Sequence, residues 1–435
     1  MNDFYLKHLE KLNDHNSESR LKSLEVLMEG IHRHDISRPA TTGRDVNNHI
    51  HTTYSFSPYS PAKSIWMAYV SGLTTAGIMD HDTVAGAEEF IRAGEIVGMA
   101  TTTGLELRVD AKGTLLEGKK SNNPDQKSVM YMAMHGIPHT KLDDVQEFIR
   151  PYAEKRNLRN MEMVRKLNGI LFNYDISLDY EEDVVPLSLW TKGGSVTERH
   201  ISYALSLKLI ARFGQGEKLV DFYKHTMGIP LNAKTEGLLL NGENPVYAYD
   251  LLGAIKSDMV EMFYLPATAE CPGVFEAVAL ASDIGAIPAY PYLGDVGDSA
   301  TGDKKPQKFE DDYLPDLFPE IRRMGFKAVA YMPSRNTKKQ LERLKDLCVR
   351  YSFMEISGED INSPRQKFVC DAMRDPMFSN LFDSTWALIA HEKKATACIH
   401  DGLFSEVTVR QYPDLDERIR KYSRMGQEYG GSHEL

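Results

Sequence analysis

The regular alternation of short apolar runs with helical patterns, from residue 45 onward, is the feature that most restricts the fold. Segments such as 62–71 and 85–93 have helical patterns and separate the first runs. Strands that alternate with helices favour parallel strands joined by helical crossovers. The sequence therefore predicts an α/β fold, a closed or nearly closed, distorted (β/α)7 barrel. Seven runs have the composition of a strand: 48–51, 77–80, 104–107, 129–134, 287–290, 327–331 and 353–356.

Five parts of the chain can be separated by their patterns. Residues 1–44 predict an N-terminal helical extension, and 45–140 predict the first part of the barrel. Residues 141–245, rich in helical patterns and polar loops, interrupt the alternation as a helical insertion. Residues 246–375 predict the second part of the barrel, and 376–435 predict a C-terminal extension. A chain of 435 residues is long for one core, which agrees with a large domain that carries additions.

Charge and composition narrow the location and the partners. The formal net charge of −11 disfavours a nucleic-acid polymer as the partner, while small anions remain possible because a metal ion supplies its own positive charge. The N-terminus has no apolar signal segment, and no run approaches the about 18 apolar residues of a membrane span. The four cysteines form no CxxC pair, as is typical of a reducing compartment. We expect a cytoplasmic protein without a membrane partner, and its oligomeric state is not predicted.

Residues able to bind metal ions recur where the predicted strands end. His49 and His51 are two positions apart in a strand, so both imidazoles can face one ion. His200 begins an amphipathic helix and faces inward. Each residue alone also fits a structural position, and the combined pattern is what favours a metal site. Mixed histidine and carboxylate ligands suit Mn, Fe or Zn better than Ca or Mg. Six residues are the candidate ligands: His49, His51, Glu106, His135, His200 and Asp360.

Several segments resemble the motifs of the PHP (polymerase and histidinol phosphatase) family, metal-dependent phosphoesterase type. The resemblance runs in matching order through residues 45–370. The opening HxHxxxS motif, the TDHDT motif, the glutamate motif, the TRxH insertion motif and the closing GSDxH motif have counterparts here. These counterparts are HIHTTYS at 49–55, IMDHDT at 78–83, GLE at 104–106, TERH at 197–200 and SGEDIN at 357–362.

The resemblance implies a PHP-type barrel with two divalent transition metals, Mn, Zn or Fe. By position, His49, His51, Glu106 and Asp360 would bind one metal, and Glu106 would bridge to a second metal. His135 and His200 would hold that second metal. A hydroxide between two ions about 3.5–4 Å apart would then be the nucleophile. The resemblance gives catalytic roles to Glu106, His81, Tyr290 and Asp360.

The chain departs from the family pattern at the third metal. The corresponding positions carry Phe56, His81 and Asn362, and phenylalanine cannot coordinate a metal, so two metals are predicted. Tyr290 replaces a histidine of the family and could donate a proton to a leaving group or simply pack in the barrel.

Anion contacts have weaker support in the sequence. Arg335 and Arg365 follow late strands, and Arg199 neighbours a candidate ligand. Guanidinium groups bind phosphate well, although each of these residues also fits an ordinary surface position. We predict that Arg199, Arg335, Arg365 and Asn362 contact the substrate.

Three functions are compatible with these residues. The first is a metal-dependent hydrolase of a small phosphoester, such as a nucleotide or sugar phosphate. The second is hydrolysis of a non-phosphate bond, such as an amide or a lactone, on the same fold. The third is a catalytically silent protein that binds metal or ligand. Phe56, Tyr290 and Asn362 favour the second and third.

Overall fold

One seven-stranded sheet forms the centre of the protein. The structure, a computed structural model, describes residues 2–123, 125–295 and 308–431. Neighbouring strands of the sheet follow each other in chain order. Each strand lies over or within two residues of a run predicted from sequence, so the predicted α/β fold class is confirmed. The strands are β1 Val46–Ile50, β2 Thr75–His81, β3 Ala100–Asp110, β4 Val129–His135, β5 Ile287–Pro291, β6 Ala328–Tyr331 and β7 Met354–Ser357.

Strand β4 runs against its neighbours. It pairs antiparallel with β3 and with β5, whereas the other pairings are parallel. The expectation of an all-parallel sheet is therefore wrong at this strand. The physical reason is the connection, because the described residues between β3 and β4 form turns and bends rather than a crossover helix. Backbone pairing of Ala111 N–H with Ser128 O (2.9 Å) starts the return of the chain.

The sheet closes almost completely into a barrel. After β7 the chain returns to β1, where Ile361 forms a parallel bridge with Ile50. The N–H of His51 donates to Ile361 O (3.0 Å), and Ile361 N–H donates to His49 O (3.1 Å). These bonds join the first strand to the segment after the last one, and they bring residues 357–362 against the end of β1.

Sixteen α-helices of the described chain surround and close the barrel. The two N-terminal helices, α1 and α2, pack beside α3 and α4, where buried Arg20 pairs with buried Glu89. The helices are α1 Asp3–Lys11, α2 Ser17–His32, α3 Pro61–Val70, α4 Ala87–Val97, α5 Leu142–Leu171, α6 Glu198–Phe213, α7 Glu217–Asp221, α8 Ala233–Leu240, α9 Tyr247–Asp258, α10 Val260–Phe263, α11 Val274–Asp283, α12 Leu314–Met324, α13 Lys338–Tyr351, α14 Ser379–Ala397, α15 Glu406–Gln411 and α16 Leu415–Gly431.

The helices between β4 and β5 have a hydrophobic core of their own. That core contains residues from Met163 to Phe263, so it includes helices α9 and α10. Leu205 on α6 and Leu251 on α9 are fully buried within it. The layer carries the N-terminus of α6 to the barrel, where Glu198 meets β3.

Helix α14 closes the end of the barrel opposite the strand carboxyl ends. Its apolar residues Ala387 and Leu388 share a core with inward-facing barrel residues such as Met79 and Met354. Helix α16 packs on α14 in turn, and together they form the most extensive helix pair of the described chain. Among the described residues, no helix combines the length and the low polarity needed to cross a lipid bilayer.

Candidate metal centre

Two histidines and a glutamate converge at the carboxyl ends of β1 and β3. The Nε2 atoms of His49 and His51 lie 3.2 Å apart. The Nε2 atom of His49 is 3.7 Å from Glu106 Oε2. One donor atom from each of the three residues lies within 4.8 Å of the others, a spacing that one cation can bridge.

Asp360 joins this cluster through the segment that closes the barrel. Its Oδ1 lies 3.1 Å from His51 Nε2. Asn362 Nδ2 donates to the same Oδ1 (2.5 Å), so this amide orients the carboxylate. The predicted contact of Asn362 with substrate stays a prediction, since the structure gives the side chain this other partner.

His81 and His135 approach Glu106 from the neighbouring strands. His81 Nδ1 is 3.2 Å from Glu106 Oε2, and its ring lies 4.5 Å from the ring of His51. His135 stands opposite Gly104 in the antiparallel register, deeper in the barrel than Glu106. Its Nε2 is buried and has no hydrogen-bond partner among the described residues.

A buried aspartate holds the loop that carries His51. Asp80 Oδ1 accepts hydrogen bonds from Thr52 N–H and from Ser55 Oγ, both at 2.6 Å. Its Oδ2 accepts from Thr52 Oγ1 (2.6 Å). Ser55 Oγ in turn lies 3.4 Å from His51 Nδ1. The first two motifs therefore form one hydrogen-bonded unit that fixes the orientation of His51.

The electrostatics favour metal-binding protonation states at Glu106, His81, His135 and Asp360, whereas burial at His49 is outweighed by the neighbouring Glu106, which raises the pKa of that imidazole. Burial opposes ionisation of Glu106, but the hydrogen bond from His49 and the nearby His81 lower its pKa to about 2. Burial lowers the pKa of His81 to about 3 and that of His135 to about 3. Asp360 is partly exposed, and the neighbouring His51 holds its pKa well below its usual range. Carboxylates that are ionised and imidazoles that are neutral are the forms that bind metals.

The donor set fits a transition-metal centre. Imidazole nitrogens and carboxylate oxygens in one buried cluster suit Zn, Fe or Mn. Within the described chain, the buried Nε2 of His135 has no hydrogen-bond partner, and the Nε2 atoms of His49 and His51 face each other. Leaving these nitrogens without a shared partner would cost folding free energy. The residues present therefore fit the metal cofactor implied by the family resemblance.

His200 lies in a different arrangement from the one predicted. Thr197 N–H donates to its Nδ1 (3.0 Å), so the neutral ring carries its hydrogen on Nε2. In this tautomer His200 has no lone pair left for an ion. Its ring packs against Phe56, with 5.0 Å between centroids. Among the described residues His200 is therefore part of the cap of α6, and its role as a metal ligand stays a prediction.

Phe56, at the position where the family resemblance implies a ligand of a third metal, packs against two helices. It contacts Tyr203 of α6 (5.7 Å between centroids) and Tyr249 of α9 (6.1 Å). This aromatic cluster fastens the helical layer to the loop after β1.

The remaining predicted site residues lie in different surroundings. Tyr290 is buried outside the cluster and donates to Glu310, so the structure does not place its phenol near the metal ligands. Arg365 pairs with Asp250 of α9 in two contacts of 2.6 Å. Arg199 and Arg335 both line the cleft above the cluster. Arg199 is near enough to Asp360 to help lower the pKa of that carboxyl.

The prediction from sequence missed a set of buried charges beside the cluster. Arg108 follows Glu106 by two positions on β3, so both side chains leave the same face of the strand. Arg108 Nη1 lies 3.0 Å from Glu198 Oε1. Arg156 of α5 pairs with Asp82 in the same region. Arg108 could have been predicted to face the site, because it follows Glu106 by two positions in the same strand. No neighbouring residue in the sequence indicates that Arg156 also lies there.

A large cleft opens above the cluster, between the strand ends and the helical layer. Its volume is about 1240 Å³. His49, Glu106 and Asp360 lie in its wall, together with Tyr249 and Lys234 of the helical layer. A cleft of this size accommodates a small ligand in contact with both parts of the protein.

Comparisons with known proteins give limited sequence similarity. No family model matches the chain. A segment of 65 residues is 35% identical to a 5'-3' exoribonuclease of Haemophilus influenzae, and it covers 15% of this chain. The match spans only 24% of the length of that relative.

Two solved structures align with most of this chain at low sequence identity. One is a protein from Bifidobacterium adolescentis with a provisional assignment as a metal-dependent phosphoesterase, at 18% identity and a TM-score of 0.49. The alignment covers 79% of this chain and 98% of that one. The other is an amidohydrolase from Chromobacterium violaceum, at 13% identity and a TM-score of 0.48, with 75% and 90% covered. By its motifs and its seven-stranded barrel, the chain is similar to the PHP-type metal-dependent phosphoesterases.

Proposed function

We propose that this chain is a metal-dependent hydrolase of a small phosphoester, such as a nucleotide or a sugar phosphate. The observation that carries the proposal is the convergence of His49, His51, Glu106 and Asp360 at the base of one cleft. They come from three segments that are far apart in the sequence, residues 49–51, 106 and 360. Their arrangement around facing donor atoms is what a hydrolytic metal centre requires.

The proposed cofactor is a pair of divalent transition metals, Mn, Fe or Zn. His49, His51, Glu106 and Asp360 would hold them, with His135 as a further ligand from below. Such ions supply positive charge for phosphoryl oxygens and lower the pKa of a water molecule. A position for His200 in this set would require Thr197 N–H to release its Nδ1.

The protein itself contributes orientation and enclosure. Asp80 fixes the loop that carries His51 by accepting hydrogen bonds from Thr52 and Ser55. Asn362 donates directly to Asp360. Helix α14 fills the far end of the barrel, so substrate enters from the mouth. There Arg199 and Arg335 are positioned to contact phosphate oxygens.

Metal content and turnover test the proposal together. We expect about two transition-metal ions per purified chain and Mn-dependent turnover in a panel of nucleotide and sugar phosphates. Glu106→Gln and Asp360→Asn should each lower turnover at least about 100-fold, because both variants weaken the ligand set. Arg92→Gln, which changes an exposed residue paired with Glu18, serves as the matched control. A chain without bound metal, or full activity in Glu106→Gln, would contradict the proposal.

A second function has one specific observation in its favour. Phe56 and Asn362 occupy positions that hold a third metal in the resembled family, and here they pack against helices and orient Asp360. Such a centre suits hydrolysis of an amide or a lactone, which needs less neutralisation of phosphate charge. Metal binding without turnover of any phosphoester, combined with turnover in a lactone or amide panel, would favour this second function.

A further inference from the structure

The cleft has a second polar wall next to the candidate metal centre. In the antiparallel register, Arg108 of β3 stands opposite Tyr131 of β4. This pair lies two residues closer to the mouth of the barrel than Glu106 and its partner Ala133. The displacement along the strand is about 7 Å. Arg108 is only 5% exposed, and both side chains line the cleft.

Tyr131 is held rigidly with its phenol directed toward the cleft. Buried Asn122 takes the place of a strand partner, since its Nδ2 donates to Tyr131 O (2.9 Å) and its Oδ1 accepts from Tyr131 N–H (2.8 Å). The ring lies 6.0 Å from the ring of His81. Among the described residues, the Tyr131 hydrogen bonds use the backbone, and none involves Oη. Burial raises the pKa of the phenol, so it remains a proton donor at neutral pH.

The charges around Arg108 leave part of its guanidinium available. Glu198 Oε1 contacts Arg108 Nη1 at 3.0 Å, and the same oxygen also pairs with Arg159. Arg159 has further partners in Glu270 Oε1 (2.6 Å) and Leu265 O (2.6 Å). Within the described chain, Glu198 is the carboxylate that contacts Arg108. Because a guanidinium group has five N–H donors, Arg108 keeps several of them for another acceptor.

The neighbouring arginine adds a further unused donor group to this wall. Arg156 is 3% exposed, lines the cleft and pairs with Asp82 through Nη1. Its buried Nε has no hydrogen-bond partner among the described residues. The wall thus combines one neutral donor with two arginines, each paired with one carboxylate, whose remaining N–H groups can donate to the oxygens of an anionic group.

We propose that Arg108 and Tyr131 form an anion subsite for a second anionic group of the substrate, distinct from the group that is hydrolysed. The inference rests on the proposed function, because it takes the metal centre as the place of hydrolysis. The separation along β3 suits a substrate whose phosphate ester and second phosphate or carboxylate are separated by a sugar-sized spacer. Arg108 and Tyr131 then determine specificity and take no part in bond cleavage.

The first test uses the metal-free full chain, and it is independent of turnover. After dialysis against a chelator, titration calorimetry with inorganic phosphate should show binding to the unsubstituted protein. Arg108→Gln and Tyr131→Phe should each weaken it at least about tenfold, while the control Arg92→Gln leaves it unchanged. Equal phosphate binding in all four proteins would overturn the subsite, whatever the enzyme hydrolyses.

The second test compares fructose 1,6-bisphosphate with fructose 6-phosphate in the metal-loaded protein. Both variants should raise KM for the bisphosphate about tenfold and change kcat/KM for the monophosphate less than about twofold. Equal losses for both substrates would instead place Arg108 and Tyr131 at the hydrolysed group and overturn the proposal. If Arg108→Gln fails to fold, Tyr131→Phe, which removes one oxygen atom, decides both tests. Absence of turnover with either sugar would exclude fructose phosphates as substrates, and the phosphate titration would then decide the subsite on its own.

Discussion

Glu310 shows how a single buried carboxyl can make stability depend on pH. Its Oε1 accepts hydrogen bonds from the backbone N–H of Leu293 (2.8 Å) and Gly294 (3.0 Å). Tyr290 donates to its other oxygen. Burial raises the pKa of Glu310 to about 7, although these hydrogen bonds oppose the change. The group is thus protonated in the folded protein over a range in which the unfolded chain would be ionised.

The sign of the effect follows from this difference. The pKa of Glu310 is higher in the folded protein than the value of about 4.3 in the unfolded chain. The contribution of Glu310 to the free energy of unfolding is therefore complete below about pH 4.3 and is lost as the pH rises through 7. Glu310→Gln retains an acceptor and a donor but cannot titrate. We expect the free energy of unfolding of the unsubstituted protein to fall relative to Glu310→Gln by about 2–3 kcal/mol between pH 5 and pH 8. Urea unfolding at several pH values measures the free energy of unfolding of both proteins. If the two free energies change in parallel with pH, the role of Glu310 is contradicted.

Tyr290 also shows what residue patterns leave undetermined. The sequence predicted either a proton donor or a packed tyrosine, and the structure directs the phenol to Glu310. Glu310 is twenty residues away from Tyr290 in the chain. No local pattern connects the two, so only the tertiary fold distinguishes the alternatives. For His200, the prediction from sequence could not include the Thr197 N–H that occupies its Nδ1.

At the scale of the elements, the segment after β7 depends on a glycine. A Cβ atom at Gly358 would lie 2.5 Å from His49 Cβ and 2.9 Å from His49 N. This close approach lets residues 357–362 pair with β1 and bring Asp360 to His51.

Gly358→Ala should therefore damage the metal centre more than the fold. The added methyl group must displace either His49 or the segment with Asp360, and a displacement of about 1 Å can cost about 100-fold in rate. We expect lower metal content and lower turnover with the far-UV circular dichroism unchanged. Gly253→Ala is the matched control, because a Cβ there meets nothing within 4 Å. Equal metal affinity in both variants would contradict the role of the close approach.

Helix α9 is tied to the same segment by a charge pair. Arg365 contacts Asp250 through Nε and Nη2, and its Nη2 also lies 3.3 Å from Asn244 Oδ1. Arg365 is nearly half exposed, so we expect the pair to add less than about 1 kcal/mol to global stability. Its effect should be local, on the opening of the cleft.

Arg365→Gln should consequently increase hydrogen exchange in α8 and α9 and raise KM a few-fold. Loss of the bidentate contact frees the helical layer from residues 360–366 and lets the cleft open more often. Hydrogen-exchange mass spectrometry measures the change, with the exposed pair Arg410 and Glu406 as the site of a control Arg410→Gln substitution. An unchanged exchange pattern in α8 and α9 would exclude this tie.

The elements themselves were largely predictable. Seven strand-like runs became seven strands, because buried strands of a barrel are short, apolar and regularly separated. The direction of β4 was not predictable from its own residues, since direction depends on the connection and not on the strand. As a result His135, predicted at a strand end near the mouth, lies deep in the barrel below Glu106.

For the whole molecule, the metal ligands lie on segments that are remote in the chain. His49 and His51 end β1, Glu106 belongs to β3, and Asp360 follows β7 where the barrel closes. An ion shared by these residues would link the two edges of the sheet. Because such an ion binds the folded state and not the unfolded chain, its binding should stabilise the entire barrel.

We expect Mn or Zn to raise the melting temperature of chelator-treated protein by several degrees. One site at a hundredfold excess over Kd contributes about 2.7 kcal/mol to the free energy of unfolding. Differential scanning calorimetry with increasing metal measures the shift. His49→Ala should remove most of this shift, because His49 Nε2 lies between His51 (3.2 Å) and Glu106 (3.7 Å), whereas Arg92→Gln should retain it. An equal shift in His49→Ala would mean that the metal binds elsewhere, and the barrel would then be closed by hydrogen bonds and packing alone.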